Sequence, residues 1–422
     1  MDEGTSFQEP AGGRWTIVIA GIMIHLCLGS IYAYGVLRNP LQQHFVSLGL
    51  EPTAMEMTWP FIVFLAFFSI TMPLAGPYIQ KLGPMKVSMI GGSLCGLGWI
   101  AASFATSPLM LRPLYGIIGG IGVGIAYGAP IAASGLWFPD KRGLAVGLTV
   151  LGFGFSSAVI TYASRFLLDS GWGVMSILQL LGVVFILASL LLSLKLRFPP
   201  SGWKPAGGVK AASGPVGPSL TRDKMVKTTA FKGLWICYTI GALAGLTAIG
   251  ISGPVGEEVF ANAGLGQEAS SALIFTLILP FAIFNGIGRP IFGALTDKFS
   301  VRNTAAVTFL LIITACLVMY LGYNSVWAYI FAFSILWGCL GGWLAIAPAA
   351  TATLFGAKDS AKNYGLVFTA YGAGAIIGGI ISAQARDMLA SFQPFFIIVA
   401  LLGVVGIAVV YTMLWPQQAE PQ

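Results

Sequence analysis

Arg289-Pro290-Ile291-Phe292-Gly293, with Lys298 behind it, repeats the punctuation of Met72-Pro73-Leu74-Ala75-Gly76, with Lys81 behind it, at a distance of 217 residues. Further along, Pro130 and Trp137-Phe138 find partners at Pro348 and Leu354-Phe355, at an offset of 217 or 218. An offset of about half of 422 residues, met at two places, describes a chain built from two parallel copies of one unit. What surrounds these stretches is apolar. Hydrophobic residues make up 56% of the chain and charged ones 9%, against roughly 25% charged in a soluble domain.

The apolar sequence falls into runs of about twenty residues, enough to cross a hydrocarbon core of roughly 30 Å. Helices 1 to 6 are expected near 15–37, 58–80, 86–106, 112–136, 142–168 and 173–195, and helices 7 to 12 near 231–254, 269–292, 302–323, 326–350, 361–384 and 392–414. The first run is too long for a signal-peptide core and is read as a retained helix. The stretch 197–230 between the sets, with Pro199, Pro200, Pro205, Pro215 and Pro218, reads as a linker. The expected fold is therefore all-α and integral to a bilayer, twelve transmembrane helices in two six-helix pseudo-repeats, with 1–196 and 231–422 as the halves. The five cysteines lie inside apolar runs without metal-like spacing, so they read as packing residues. Of 22 Lys and Arg, only Arg38, Arg112, Arg165 and Arg386 fall on the side opposite the termini, with Arg289 inside a span. That bias places both termini in the cytoplasm of a multi-pass protein of the cell's inner membrane, and it accounts for the net charge of +7 without nucleic acid.

Several motifs carry a family resemblance. Gly293-Ala294-Leu295-Thr296-Asp297-Lys298 resembles the gating loop between paired helices of the major facilitator superfamily; the first copy has Gln80 where the carboxylate would stand. Trp137-Phe138-Pro139-Asp140-Lys141-Arg142-Gly143 looks like the helix 4–5 junction of the monocarboxylate transporters and bacterial oxalate/formate antiporters. Phe284-Asn285-Gly286 with Arg289-Pro290, and Ala361-Lys362-Asn363-Tyr364-Gly365, resemble the same group. The resemblance spans both halves and implies a substrate site between them.

Arg289 is the centre of the expected site. A guanidinium in hydrocarbon costs at least about 2.5–3.5 kcal/mol and usually marks a substrate or ion path. Its repeat partner is Met72, so the fold does not demand a charge there. A planar fork matches a carboxylate through two hydrogen bonds, and the family resemblance implies that role; the bland alternative is a structural Arg paired to carbonyls or to Asp297. Asn285, one turn away on the same face, stands where the proton-coupled animal transporters resembling this chain carry an aspartate, so a proton acceptor cannot be carried over. On helix 11 the same resemblance puts Tyr371 where the oxalate-carrying members hold a second cation, which narrows the cargo to one carboxylate. Phe368, Tyr127, Tyr32 and, with less support, Trp343 complete a candidate pocket, each also readable as a packing aromatic. His25, Leu28 and Tyr32 share a helical face, which adds Leu28 to the candidate pocket, and His25, with an ordinary pKa of about 6.5, is the candidate proton carrier, or else an interhelical hydrogen bonder.

Gly116, Gly120, Gly124 and Gly128 recur every fourth residue as a helix-packing face. Arg112 reads as an interface anchor, and Glu257 and Glu258 as a solvated outer loop or gate. An enzyme would need a nucleophile–base pair or metal ligands, yet the chain has two His and neither His-Glu-x-x-His nor a phosphate loop. No catalytic residue, cofactor or metal is expected. A transporter-derived sensor would carry an added soluble domain, which neither terminus shows. The expected partners are a monocarboxylate such as lactate or pyruvate, a proton and the lipid bilayer, with no accessory subunit indicated. Exchange of carboxylates is the alternative to symport.

Overall fold

The computed structural model describes residues 13–138, 142–200, 220–356 and 360–415. The second half of the helix 4–5 junction motif (139–141), most of the linker (201–219) and residues 357–359 lie outside them.

Helix 1 runs further than its apolar stretch: Trp15–Leu28 is α-helical, Gly29–Ala33 tightens to a 3-10 turn, and Tyr34–Ser47 resumes the α-helix. The expected end near 37 is overrun because Arg38 and Asn39 are taken up by protein rather than by solvent. Helices 2 and 3 form one run, Ala54–Ala102, opened by a Thr53–Glu56 capping box and broken at Gly83 (φ 81°, ψ 160°). Helix 4 is Pro108–Leu111, a π-helical turn Arg112–Ile117, Ile118–Ala126 and Gly128–Trp137. Helices 5 and 6 are Arg142–Asp169 and Val174–Ser193. After a turn at Arg222–Met225 come helix 7 (Thr229–Asn262), helix 8 (Gln267–Phe299), helix 9 (Val301–Leu321) and helix 10 (Val326–Phe355). Helix 11 (Ser360–Val367 and Thr369–Leu389) and helix 12 (Gln393–Met413) close the chain. Twelve spans return both ends to one face, called here the terminal face.

The repeat is visible in the backbone. Ser300, 217 residues after Gly83, has nearly the same angles (φ 84°, ψ 156°) and separates helices 8 and 9 as Gly83 separates 2 and 3. The glycine column of helix 4 packs against helix 2: a Cβ on Gly120 would sit 2.4 Å from the Phe64 carbonyl, and one on Gly124 2.8 Å from that of Phe68. Between the halves, helix 1 meets helix 7, helix 2 meets helix 11, and helix 5 meets helix 8. Large apolar side chains such as Leu74, Phe166, Leu321 and Trp327 are exposed around the outside, the pattern of a surface solvated by lipid rather than water. Arg112 lies 5.6 Å from the Trp59 ring, in keeping with an anchor at the membrane interface. On the terminal face, Leu220 ties the linker's end to helices 10 and 11. Its N–H donates to the Phe355 carbonyl (2.9 Å) and its carbonyl accepts from Asn363 (3.0 Å).

Candidate functional site

Helix 8 delivers Asn285 and Arg289 to the contact with helix 5, and both are buried. Helix 5 comes close because residue 154 is glycine: a Cβ there would lie 2.9 Å from Asn285 Oδ1. The Asn285 amide nitrogen donates to the Trp337 carbonyl of helix 10 (2.9 Å), which turns its Oδ1 toward Arg289 Nη2 (3.2 Å). Nη1 donates across the halves to the Val150 carbonyl (2.7 Å), and Nε is buried with no hydrogen-bond partner. The hydroxyl of Tyr127 also interacts with the guanidinium. Among the described residues, every hydrogen-bond partner of Arg289 is neutral. The guanidinium thus keeps an unused donor in the interior of the protein, an arrangement that an anion could complete.

Aromatic rings gather around Tyr127. The hydroxyls of Tyr32 and Tyr371 share a hydrogen bond of 2.7 Å across the two halves. Phe368 stacks on Tyr371 (centroids 4.8 Å apart) and lies 5.7 Å from Tyr127. Phe68 touches four of these rings, including Phe368 at 5.1 Å and Tyr371 at 5.6 Å, and Phe153 meets Tyr32 edge-on at 5.0 Å. His25 Nδ1 lies 2.9 Å from the Gly21 carbonyl, so Nδ1 carries the hydrogen and Nε2 is left as the acceptor. The ring meets Tyr127 edge-on at 5.1 Å, and Nε2 has no hydrogen-bond partner. Leu28 is fully buried at the start of the 3-10 turn, between His25 and Tyr32.

Seven of the nine candidates, His25, Tyr32, Tyr127, Asn285, Arg289, Phe368 and Tyr371, are thus joined by side-chain contacts into one buried cluster, and Leu28 lies on its helix 1 edge. Trp343 stands apart. It stacks on Tyr238 at 6.0 Å and packs against Phe309, reaching Phe368 and Tyr371 only through Tyr238. Phe68, Phe153 and Tyr238 escaped the sequence reading because single aromatics in apolar helices carry no charge to mark them. One signal was available: Phe68 stands 217 residues before Asn285, so the repeat pairs it with a candidate residue. Glu257 and Glu258 are remote from this cluster and line a cleft at the face opposite the termini.

The Major Facilitator Superfamily model matches this chain twice, over residues 18–257 and 234–422. The chain belongs to the major facilitator superfamily. Its fold is shared with two solved transporters of that shape, each 14% identical. One is a bacterial homologue of the human lysosomal transporter Spinster, with a TM-score of 0.67 over 94% of this chain and 96% of that one. The other is a nucleoside transporter, with a TM-score of 0.68 over 95% and 99%. Among curated relatives, the oxalate:formate antiporter of Oxalobacter formigenes is 27% identical over 97% of this chain and 93% of its own. Monocarboxylate transporter 14 of Mus musculus is 23% identical over 94% and 89%, and the apicoplast pyruvate carrier 1 of Toxoplasma gondii is 27% identical over 33% of each. This superfamily member is a membrane transport protein and not an enzyme.

Proposed function

We propose that this transporter moves a small monocarboxylate of the lactate or pyruvate type, in symport with a proton, by rocking 1–196 against 231–422 about the central cluster. The carrying observation is Arg289: a buried guanidinium with an unused Nε and, among the described residues, only neutral hydrogen-bond partners, beside Tyr127 and the rings packed on it. Tyr371 occupies the position that a dianion would need filled by a positive charge, and its hydroxyl is engaged by Tyr32. The named relatives, an oxalate:formate antiporter and a pyruvate carrier, support carboxylate as the substrate class. The charge bias supports cytoplasmic termini and residence in the cell's inner membrane. Uptake of labelled mono- and dicarboxylates into proteoliposomes under an imposed pH gradient tests the reading. Lactate or pyruvate should be preferred, and a clear preference for oxalate would overturn the single-cation argument.

Exchange is the second reading, and one observation favours it. With no carboxylate among the partners of Arg289, the empty carrier would reorient with an uncompensated buried charge, whereas the loaded carrier would not. Counterflow with and without a pH gradient separates the two. If symport holds, His25 Nε2 is the candidate proton acceptor: His25→Ala should lose proton-driven uptake and keep substrate exchange, and full proton-driven uptake would rule it out.

A further inference from the structure

At the face opposite the termini the halves part around a cleft of about 750 Å³. Helix 1 lines it with Arg38, Asn39 and Gln42, helix 7 with Glu257 and Glu258, and helix 11 with Arg386 and Asp387. One hydrogen bond spans it from half to half: Asn39 Nδ2 donates to Glu257 Oε1 at 2.5 Å. Around it the charges are unevenly committed. Glu258 is held by Arg386 (3.0 Å) and by the Ser391 hydroxyl, both on its own side. Asp387 is exposed. Arg38 is 3% exposed, donates from Nη2 to the Ala54 carbonyl (2.9 Å), and leaves Nε buried without a partner. Glu257 makes no ion pair within 4 Å among the described residues, although Arg38 and Glu257 feel each other's charge. Helix 2 contributes only Ala54 to the lining, and His44 of helix 1 does not reach it.

We propose that Glu257 is a proton-binding site at the mouth of this cleft, and that its protonation releases the Asn39 latch between the halves. An amide donates more strongly to a carboxylate than to a carboxylic acid, so the ionised form holds the halves together and the protonated form lets them part. The same proton changes what the cleft admits. Three carboxylates against two guanidiniums leave a net negative lining that repels an anion, and one added proton at Glu257 neutralises it. Acid on this face therefore opens the cleft and lets the anion in, the order that proton-coupled uptake requires. The link to uptake rests on the transport reading above; the latch does not.

The test reads the latch without substrate. Gln42→Cys places a thiol on the cleft lining, and the native cysteines are all buried. Labelling of this thiol by an uncharged, membrane-impermeant reagent is measured at acid and alkaline pH in the parent and in Glu257→Gln, whose ratio at each pH cancels the titration of the thiol itself. The parent should match Glu257→Gln in acid and fall about threefold or more below it in alkali, the difference between a charged and a neutral hydrogen bond. Asn39→Ala should behave as Glu257→Gln, and serves if the latter fails to insert. Asp387→Asn should keep the parent's response. A parent-like pH response in Glu257→Gln or Asn39→Ala overturns the proposal, as does its loss in Asp387→Asn alone. A protein that shows the Glu257-dependent response yet transports no carboxylate overturns the transport reading and leaves the latch standing.

Discussion

At the residue scale, the electrostatic position of Arg289 is set by what is absent from its partners as much as by what is present. A lysine would keep the charge and lose the fork that serves Val150 and Asn285 and, in the proposed function, a carboxylate with them. Arg289→Lys is therefore expected to reduce monocarboxylate uptake by roughly tenfold to a hundredfold, the worth of one charge-assisted hydrogen bond of about 1.5–3 kcal/mol. Initial rates in proteoliposomes check this, and an unchanged rate would end the bidentate argument. Tyr371→Phe removes half of the hydroxyl pair with Tyr32 while keeping the ring that stacks on Phe368. Its expected effect is on selectivity among acids, read as altered competition by unlabelled mono- and dicarboxylates. The charge of Arg289 was legible in the sequence because an arginine in hydrocarbon is rare. Val150 was not, because it acts through its carbonyl and any residue supplies one.

At the scale of elements, two features decide how helices meet. The first is the pair of breaks at Gly83 and Ser300, whose φ near +80° suits glycine. Ser300 carries a Cβ in that region, and its hydroxyl accepts only a long hydrogen bond from the Asn303 N–H (3.5 Å). Ser300→Gly should raise thermal stability, and Gly83→Ala should lower it by about 1–3 kcal/mol, both read as shifts in the melting of detergent-solubilised protein. The second feature is the seam between helices 2 and 11. A Cβ on Gly372 would lie only 1.8 Å from the Ser69 hydroxyl, and Gly365 and Gly379, seven residues to either side, are likewise crowded by Pro73 and Ile62. Gly372→Leu is expected to abolish transport while the protein still reaches the membrane. Gly76→Ala, with nothing within 4 Å, should transport as the parent does. Helix positions were readable from apolar run length, but helix ends were not. Helix 1 continues past residue 37 because its polar end is met by protein, Arg38 by the Ala54 carbonyl and Asn39 by Glu257 of the other half, partners that no local pattern announces.

At the scale of the whole molecule, transport by alternating access requires the halves to part at each face in turn. Asn39 and Glu257 join them at the face opposite the termini. A short reducible cross-link between Asn39→Cys and Glu257→Cys should stop uptake, and reduction should restore it; continued uptake in the linked protein would exclude rocking of the halves. The sequence by itself determined the class of molecule. Apolar runs of spanning length admit no solvent but lipid, the 217-residue offset makes two units of them, and one arginine without a carboxylate in its span marks the position where we propose that an anion binds. Only the tertiary structure decided which aromatics surround that arginine, that Trp343 stands one ring away from them, and that Arg38, Asn39 and Glu257 share a cleft. The physical reason is that all of these depend on helices from opposite halves coming together. Periodicity records which face of a helix avoids water, and in a protein buried in lipid on one side and in itself on the other, nearly every face does.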